Sequence, residues 1–257
     1  MRDPNTKTGL STACLFILSG MIPLTGNCHN DTGNLQASLY GGYNYLSIGG
    51  NRLLRLPIET DTLLTPSANN SFIGGIGAGY RISNHSNILP YIKAITIGPD
   101  LIFFNKSVHG NVLQLQDPQF PNYDYTLKLK TARLMLDGWL DGSPLCFDMV
   151  PFIGGGVGVA NIKTSYYDVV SSAGFDAGIS GGEISLGSKT TTNFAYSLGA
   201  GLKKQLSPRV QLSAAYIYTN YGQATTSINS SQVTLVTPVS FKVQSHSALL
   251  GLTYLFG

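Results

Sequence analysis

His246-Ser-Ala-Leu-Leu-Gly-Leu-Thr-Tyr-Leu-Phe256 decides the fold. Every second residue back from Phe256 gives Tyr254, Leu252, Leu250 and Ala248, all apolar or interfacial. The alternate set is Leu255, Thr253, Gly251, Leu249 and Ser247, smaller and more mixed. Period-two alternation is the signature of a strand whose faces meet different surroundings. Here one face suits lipid or a core and the other suits a tighter space. A strand that ends on an aromatic, with Leu250, Leu252, Tyr254 and Phe256 on one face, closes outer-membrane β-barrels. Its partners must be sought upstream.

Composition agrees with that reading. Charged residues are 11% of the 257-residue chain, under half of the usual share of about 25%. There are 30 Gly, 14 Tyr and 11 Phe. No run approaches the roughly 20 apolar residues that a spanning helix needs. In a barrel only alternate residues face lipid, so low charge coexists with modest hydropathy. A net charge of +3, scattered along the chain, argues against a nucleic-acid partner.

The N-terminus reads as a targeting signal. Arg2 and Lys7 form a positive region, 10–22 is a short apolar stretch, Pro23 breaks it, and Thr25 and Gly26 are small. The expected organisation is a signal peptide over 1–26, a short periplasmic segment over 27–34 and a barrel domain over 35–257. Cys28 is preceded by Thr25 and Asn27 where a lipobox wants Leu and a small residue, which argues against lipidation.

Strand-like segments recur at 35–46, 72–82, 91–104, 125–140, 152–162, 193–205 and 210–220, and the C-terminal stretch makes eight. Pro99 cannot donate to a ladder, so a bulge is expected there. In the fourth segment the alternation slips between Leu129 and Ala132, either at a bulge or where the strand leaves the membrane. In the fifth segment, 152–162, glycine on the inward face would let bulky side chains of neighbours fit or let the sheet bend sharply. Long connections at 47–70, 105–124, 163–191 and 221–241 alternate with short ones at 84–87, 141–150 and 206–209. Short periplasmic turns and long extracellular loops are the habit of outer-membrane barrels. The fold class is therefore all-β: an eight-stranded antiparallel transmembrane up-and-down β-barrel with an N-terminal signal peptide. A soluble lipocalin-type barrel also alternates. The loop asymmetry, the aromatics ending the apolar faces and the C-terminal signature weigh against it.

Gly-Ala-Gly-Tyr-Arg-Ile at 77–82, Pro-Phe-Ile-Gly-Gly-Gly-Val-Gly-Val-Ala at 151–160, Ser-Leu-Gly-Ala-Gly-Leu at 197–202 and Leu-Leu-Gly-Leu-Thr-Tyr-Leu-Phe at 249–256 carry a family resemblance. Over about 35–257 the chain resembles the small outer-membrane barrels of the opacity-protein and OmpA-barrel type. It departs from their pattern in one place, since Gly257 follows the terminal aromatic. The resemblance implies the outer membrane of a Gram-negative bacterium, contact with membrane lipid and lipopolysaccharide, and insertion by the barrel-assembly machinery.

Chemistry-bearing residues are sparse. His29, His85, His109 and His246 share no ligand spacing, so neither a metal nor another cofactor is expected. His246 and Ser247 are adjacent in a strand and point to opposite faces, which rules out a simple base–nucleophile pair. Gly154-Gly-Gly-Val-Gly lacks the Lys and helix of a phosphate loop. Three function classes follow. The first is a non-enzymatic closed scaffold displaying four surface loops, for structural integrity or for host or ligand interaction as an adhesin or surface antigen. The second is a small porin-like channel, disfavoured because eight strands leave room only for side chains. The third is a lipid-modifying enzyme or protease, whose His, Ser and acid cluster is not visible.

Strand parity puts Arg81, Asp100, Arg133, Asp137 and Lys203 on the inward face, where a narrow low-dielectric tube requires them to pair. Arg81, Asp100, Arg133 and Asp137 lie on three consecutive strands and are expected to meet. Lys203 is expected near the periplasmic end with access to solvent. The network either only fills space and fixes register or acts as a gate. Cys28 and Cys146 would both lie on the periplasmic side of an exported chain and could form a disulfide. Loop one holds Leu53, Leu54, Leu56, Ile58, Leu63 and Leu64, either an adhesive patch or packing over the barrel mouth.

Overall fold

A computed structural model describes residues 34–50, 52–64, 70–83, 91–230 and 234–256. The segments expected as a signal peptide and as a short periplasmic stretch, with Cys28, His29, His85, the expected 84–87 turn and Gly257, lie outside the described residues, apart from Asn34. Ten strands are present among them. They are β1 (Asn34–Gly49), β2 (Leu53–Arg55), β3 (Thr60–Leu63), β4 (Asn70–Ser83), β5 (Ala94–Leu113), β6 (Tyr123–Asp141), β7 (Met149–Val170), β8 (Ser185–Ser207), β9 (Val210–Thr225) and β10 (Ser240–Phe256). Eight of them close a ring in the order β1, β4, β5, β6, β7, β8, β9, β10, every neighbour pair antiparallel. The C-terminal strand closes it, pairing Leu35↔Phe256 through Gly49↔Lys242 with β1. Closure removes the free edges that would otherwise pair with another chain.

The apolar belt faces out. On β10, Leu250, Leu252, Tyr254 and Phe256 are exposed, while Leu249, Thr253 and Leu255 are buried in the ring. On β6 the belt residues are Leu134, Leu136 and Leu140, and on β7 they are Ile153, Val157 and Val159. Aromatics bound the belt. Tyr43, Tyr45, Phe72, Tyr196, Tyr216 and Tyr218 lie towards one rim, and Tyr80, Tyr254 and Phe256 lie towards the other. Such girdles belong at the two membrane–water boundaries.

The strands do not stop at the belt. Residues expected in long loops at 105–124 and 163–191 are largely strand, since β5 runs on to Leu113, β6 starts at Tyr123, β7 reaches Val170 and β8 begins at Ser185. The slip expected between Leu129 and Ala132 is no bulge. β6 pairs without interruption with both β5 and β7 from Tyr123 to Asp141. What changes there is polarity. Below Thr131 the outward residues are apolar and the inward ones include Arg133 and Asp137. Above it Lys128 and Lys130 point out while Tyr125, Leu127 and Leu129 are buried inside. The strand has left the lipid, and its two faces have exchanged solvents.

Pro99 causes no bulge either. It pairs with Leu136 in register on the β6 side. On the β4 side the ladder skips Gly98 and Pro99 and resumes unshifted, from Gly77↔Asp100 to Tyr80↔Ile97. Pro99 has no N–H to give. Gly98 lets the β4 backbone press close, for a β-carbon there would collide with the Ala78 carbonyl oxygen.

The hairpin of β2 and β3 folds over the extracellular mouth and adds to the edge of β5 through Thr62↔Leu113 and Leu63↔Val112. The 226–239 connection joins it through an Arg55↔Thr237 bridge. Leu46, Leu54, Leu63, Phe104, Val108, Val112, Leu127, Tyr166, Leu235 and Phe241 form one buried apolar core in this upper barrel. Among the described residues no helix is long and apolar enough to cross a membrane.

Candidate functional site: lumen and extracellular crown

The lumen holds two charged clusters. In the upper one Arg133, only 2% exposed, donates from Nη2 to Asp100 Oδ2 at 3.0 Å and from Nη1 to Thr219 Oγ1 at 2.6 Å. Asp137 lines the same hollow as Asp100. It fits because the facing residue is Gly156, where a β-carbon would run into the Asp137 carboxylate. Gly154 makes the same room for Trp139. These glycines act through absent side chains rather than unusual backbone angles.

The lower cluster is centred on a residue that sequence reasoning missed. Asp141, fully buried, pairs with Lys203 and lies 3.4 Å from Arg81. Arg81 is therefore not with Arg133. Lys203 does not extend into solvent but is buried, its ammonium also 5.4 Å from the Phe152 ring centroid. The sequence reading ends this strand at Leu140 and gives Asp141 to the 141–150 connection, yet parity from Asp137 through Trp139 puts Asp141 inside. The unequal charge count was the second signal. With Asp141, the three cations Arg81, Arg133 and Lys203 share the lower barrel with three carboxylates, Asp100, Asp137 and Asp141, and ion pairs engage Asp100 and Asp141.

Above Arg133, Phe104, Leu129, Ile162, Tyr221 and Val243 pack in the apolar core, with the rings of Phe104 and Tyr221 edge to face at 5.4 Å. Buried Asn44 hydrogen-bonds to Ser71 and Ser247 inside the same ring.

The crown sits above this packing. Most of the loop-one leucines pack inward, Leu54 and Leu63 being buried, whereas Ile58 at the hairpin tip is 98% exposed. Beside it Leu115, 61% exposed, stands on a turn in which Leu115 and Gln116 both have positive φ. Asp61 holds that turn, its Oδ1 accepting the Leu115 N–H at 2.9 Å. Asp168 holds the opposite loop, accepting the Ile184 N–H at 2.6 Å and the Tyr166 hydroxyl at 2.7 Å. Burial pushes both carboxyls up to about 6, with like charge from Glu59 on Asp61 and from Glu183 on Asp168 adding to it. Phe120, Phe175 and Val236 are further exposed apolar groups of the crown.

No catalytic constellation is assembled among the described residues. His109 Nδ1 lies 2.9 Å from Thr126 Oγ1 and His246 Nδ1 lies 2.6 Å from Tyr216 Oη. His246 is exposed and Ser247 buried, on opposite faces. No group of three His, Cys, Asp or Glu among the described residues could hold a metal ion. Cys146 is exposed in the β6–β7 turn.

No protein-family model matches the sequence. The outer membrane protein PagN of Salmonella typhimurium is 26% identical over 197 residues, 72% of this chain and 73% of PagN. A protein named as a candidate adhesin from Rickettsia bellii is 30% identical over 166 residues, 64% of this chain and 66% of the relative. Among solved structures, Neisserial surface protein A is 15% identical with a TM-score of 0.38, covering 89% of this chain and 100% of its own. The attachment invasion locus protein Ail of Yersinia pestis, solved with a heparin analogue, is 15% identical with a TM-score of 0.36, covering 86% of this chain and 99% of its own. With the closed eight-strand ring, the outward apolar belt and the sequence similarity to PagN in hand, the chain is an eight-stranded outer-membrane β-barrel protein of a Gram-negative bacterium.

Proposed function

We propose that this barrel is a non-enzymatic adhesin-type scaffold whose working surface is the extracellular crown. The observation that carries the reading is the pairing of an apolar-packed upper lumen with a rigidly mounted apolar tip. The packing of Phe104, Leu129 and Tyr221 speaks against solute transport through the barrel. Ile58 and Leu115, by contrast, are held in the open by a hairpin and by a turn with left-handed residues. Strained, over-determined conformations of that kind collect at functional surfaces. The adhesin name of the Rickettsia bellii relative supports the same reading. Host or environmental ligands would meet the crown, while lipopolysaccharide and the assembly machinery meet the wall and the C-terminal strand.

Cells displaying the protein should bind epithelial monolayers above an empty-vector level. The double change Ile58→Asp, Leu115→Asp should return binding to that level, with surface abundance and heat-modifiable mobility unchanged. Wild-type display that adds no binding to cells or to extracellular-matrix components would defeat the proposal.

A further inference from the structure

The hollow below Arg133 gathers three buried side-chain oxygens that have no hydrogen-bond partner among the described residues. They are Thr96 Oγ1, Asp100 Oδ1 and Asp137 Oδ1. The residues are 5%, 5% and 7% exposed, and all three line the hollow. The β5–β6 ladder brings them together. Asp137 stands opposite Gly98, and Thr96 and Asp100 flank Gly98 on the same inward face. Thr96 and Asp100 are roughly 13 Å apart along the strand, too far for one atom to bridge. A short chain with a polar group at each end spans that interval, with Asp137 beside its middle.

Charge selects the occupant. Arg133 pairs with Asp100, whereas Asp137 forms no ion pair among the described residues. Arg133, Asp100 and Asp137 together therefore carry one surplus negative charge. The opposite surplus, in Arg81, Lys203 and Asp141, lies nearer the rim, where Arg81 keeps 22% of its side-chain surface in solvent. An unpaired carboxylate buried in the lumen is unfavourable, and a bound cation relieves it. The walls suit an organic cation. Trp139 and Phe152 stand edge to face at 5.5 Å and line the same hollow, and aromatic faces attract cations and cover methylenes. Gln36, Tyr40 and Ser213 point inward yet keep partial exposure, so solvent enters from the periplasmic end, below the packing of Phe104 and Tyr221. The hollow measures about 70 Å³, enough for roughly five non-hydrogen atoms at about 10–15 Å³ for each water-sized occupant. We propose that it is a periplasm-facing site for a small primary ammonium compound. The ammonium lies against Asp137 and Asp100, and a hydroxyl at the other end of the chain reaches Thr96.

Trp139 is the single tryptophan of the chain, so its emission reports occupancy. Purified, folded barrel in neutral detergent is titrated at neutral pH with ethanolamine hydrochloride. Ethylene glycol serves as the uncharged isostere and sodium chloride as the ionic control. For a ligand this small, half-saturation of the Trp139 response should fall on the order of 1 mM. Ethylene glycol and sodium chloride should give no saturable response. Asp137→Asn keeps the shape and removes the charge, and should weaken binding roughly tenfold or more. Thr96→Val should weaken it by a smaller factor. Without ligand, Asp137→Asn should melt no lower than wild type, because the carboxylate serves the ligand and not an ion pair of the fold. No saturable response of wild type to ethanolammonium overturns the proposal, as does an equal response to ethylene glycol or unchanged binding by a folded Asp137→Asn variant. An equal response to sodium chloride overturns the choice of an organic cation. The wild-type comparison decides the matter even where a variant does not fold, and no crown residue takes part in it.

Discussion

Removing Asp141 tests the electrostatics of the lower lumen. Its carboxylate has no exposure and serves two cations, Lys203 and Arg81. Asp141→Ala leaves both without it. Deleting one member of a buried pair costs about 3–5 kcal/mol. The lower end applies, because Arg81 keeps about a fifth of its side-chain surface in solvent and can turn towards water. For a domain of this size each kcal/mol moves the midpoint by about 2–4 °C, so a loss of about 3 kcal/mol lowers it by about 6–12 °C. Heat-modifiable gel mobility, sampled across temperature in one detergent, reads this directly. Asp141→Ala combined with Lys203→Met should recover part of the loss, since the remaining Arg81 sits nearer the rim. Asp148→Ala, in the exposed turn, is the control. A shift under 2 °C for Asp141→Ala, or one no larger than that of the control, refutes the claim that the lumen is held by charge balance.

Other expectations follow from the same geometry. Asp61 and Asp168 are raised to about 6 in the closed crown from 3.8 in the open chain, so the closed crown binds more protons between those values and closure weakens as pH rises through that window. Amide protection of Leu115 and Ile184, corrected for intrinsic exchange, should be greater at pH 5 than at pH 7.5, and Asp61→Asn with Asp168→Asn should flatten the difference. Gly156→Val places methyls against Asp137 and should cut the yield of heat-modifiable barrel, whereas Gly138→Val, whose β-carbon meets nothing within 4 Å, should not. If Cys28 and Cys146 are bonded in the mature chain, thiol labelling of unreduced, denatured protein should find no reactive thiol, and two per chain would exclude the bond. Planar-bilayer recordings should stay closed, and a large stable conductance would contradict a lumen plugged by the packing around Phe104 and Tyr221.

Much of the belt could be read from alternation alone. Leu250, Leu252, Tyr254 and Phe256 define the outward face of β10, and parity carried Arg81, Asp100, Arg133, Asp137 and Lys203 to the inside. What alternation could not supply was which solvent each face meets. Leu127-Lys128-Leu129-Lys130 is as clean a strand pattern as the belt, but its polarity is reversed. Reading apolar as outward turned that reversal into a slip and turned 105–124 and 163–191 into loops. The same habit ended β6 one residue early and hid Asp141. The crown's contacts, such as Asp61 to Leu115 across 54 positions, depend on how the hairpin folds over the mouth, which no local pattern encodes.

The exchange of faces on β6 is the centre of the account, and single-cysteine labelling measures it directly. In a cysteine-free background, Leu127→Cys, Lys128→Cys, Leu129→Cys and Lys130→Cys are displayed on intact cells and treated with a membrane-impermeant maleimide. Positions 128 and 130 should label rapidly while 127 and 129 stay protected until the protein is unfolded. Rapid labelling of 127 and 129, or equal labelling of all four, would contradict a sealed barrel that continues beyond the membrane.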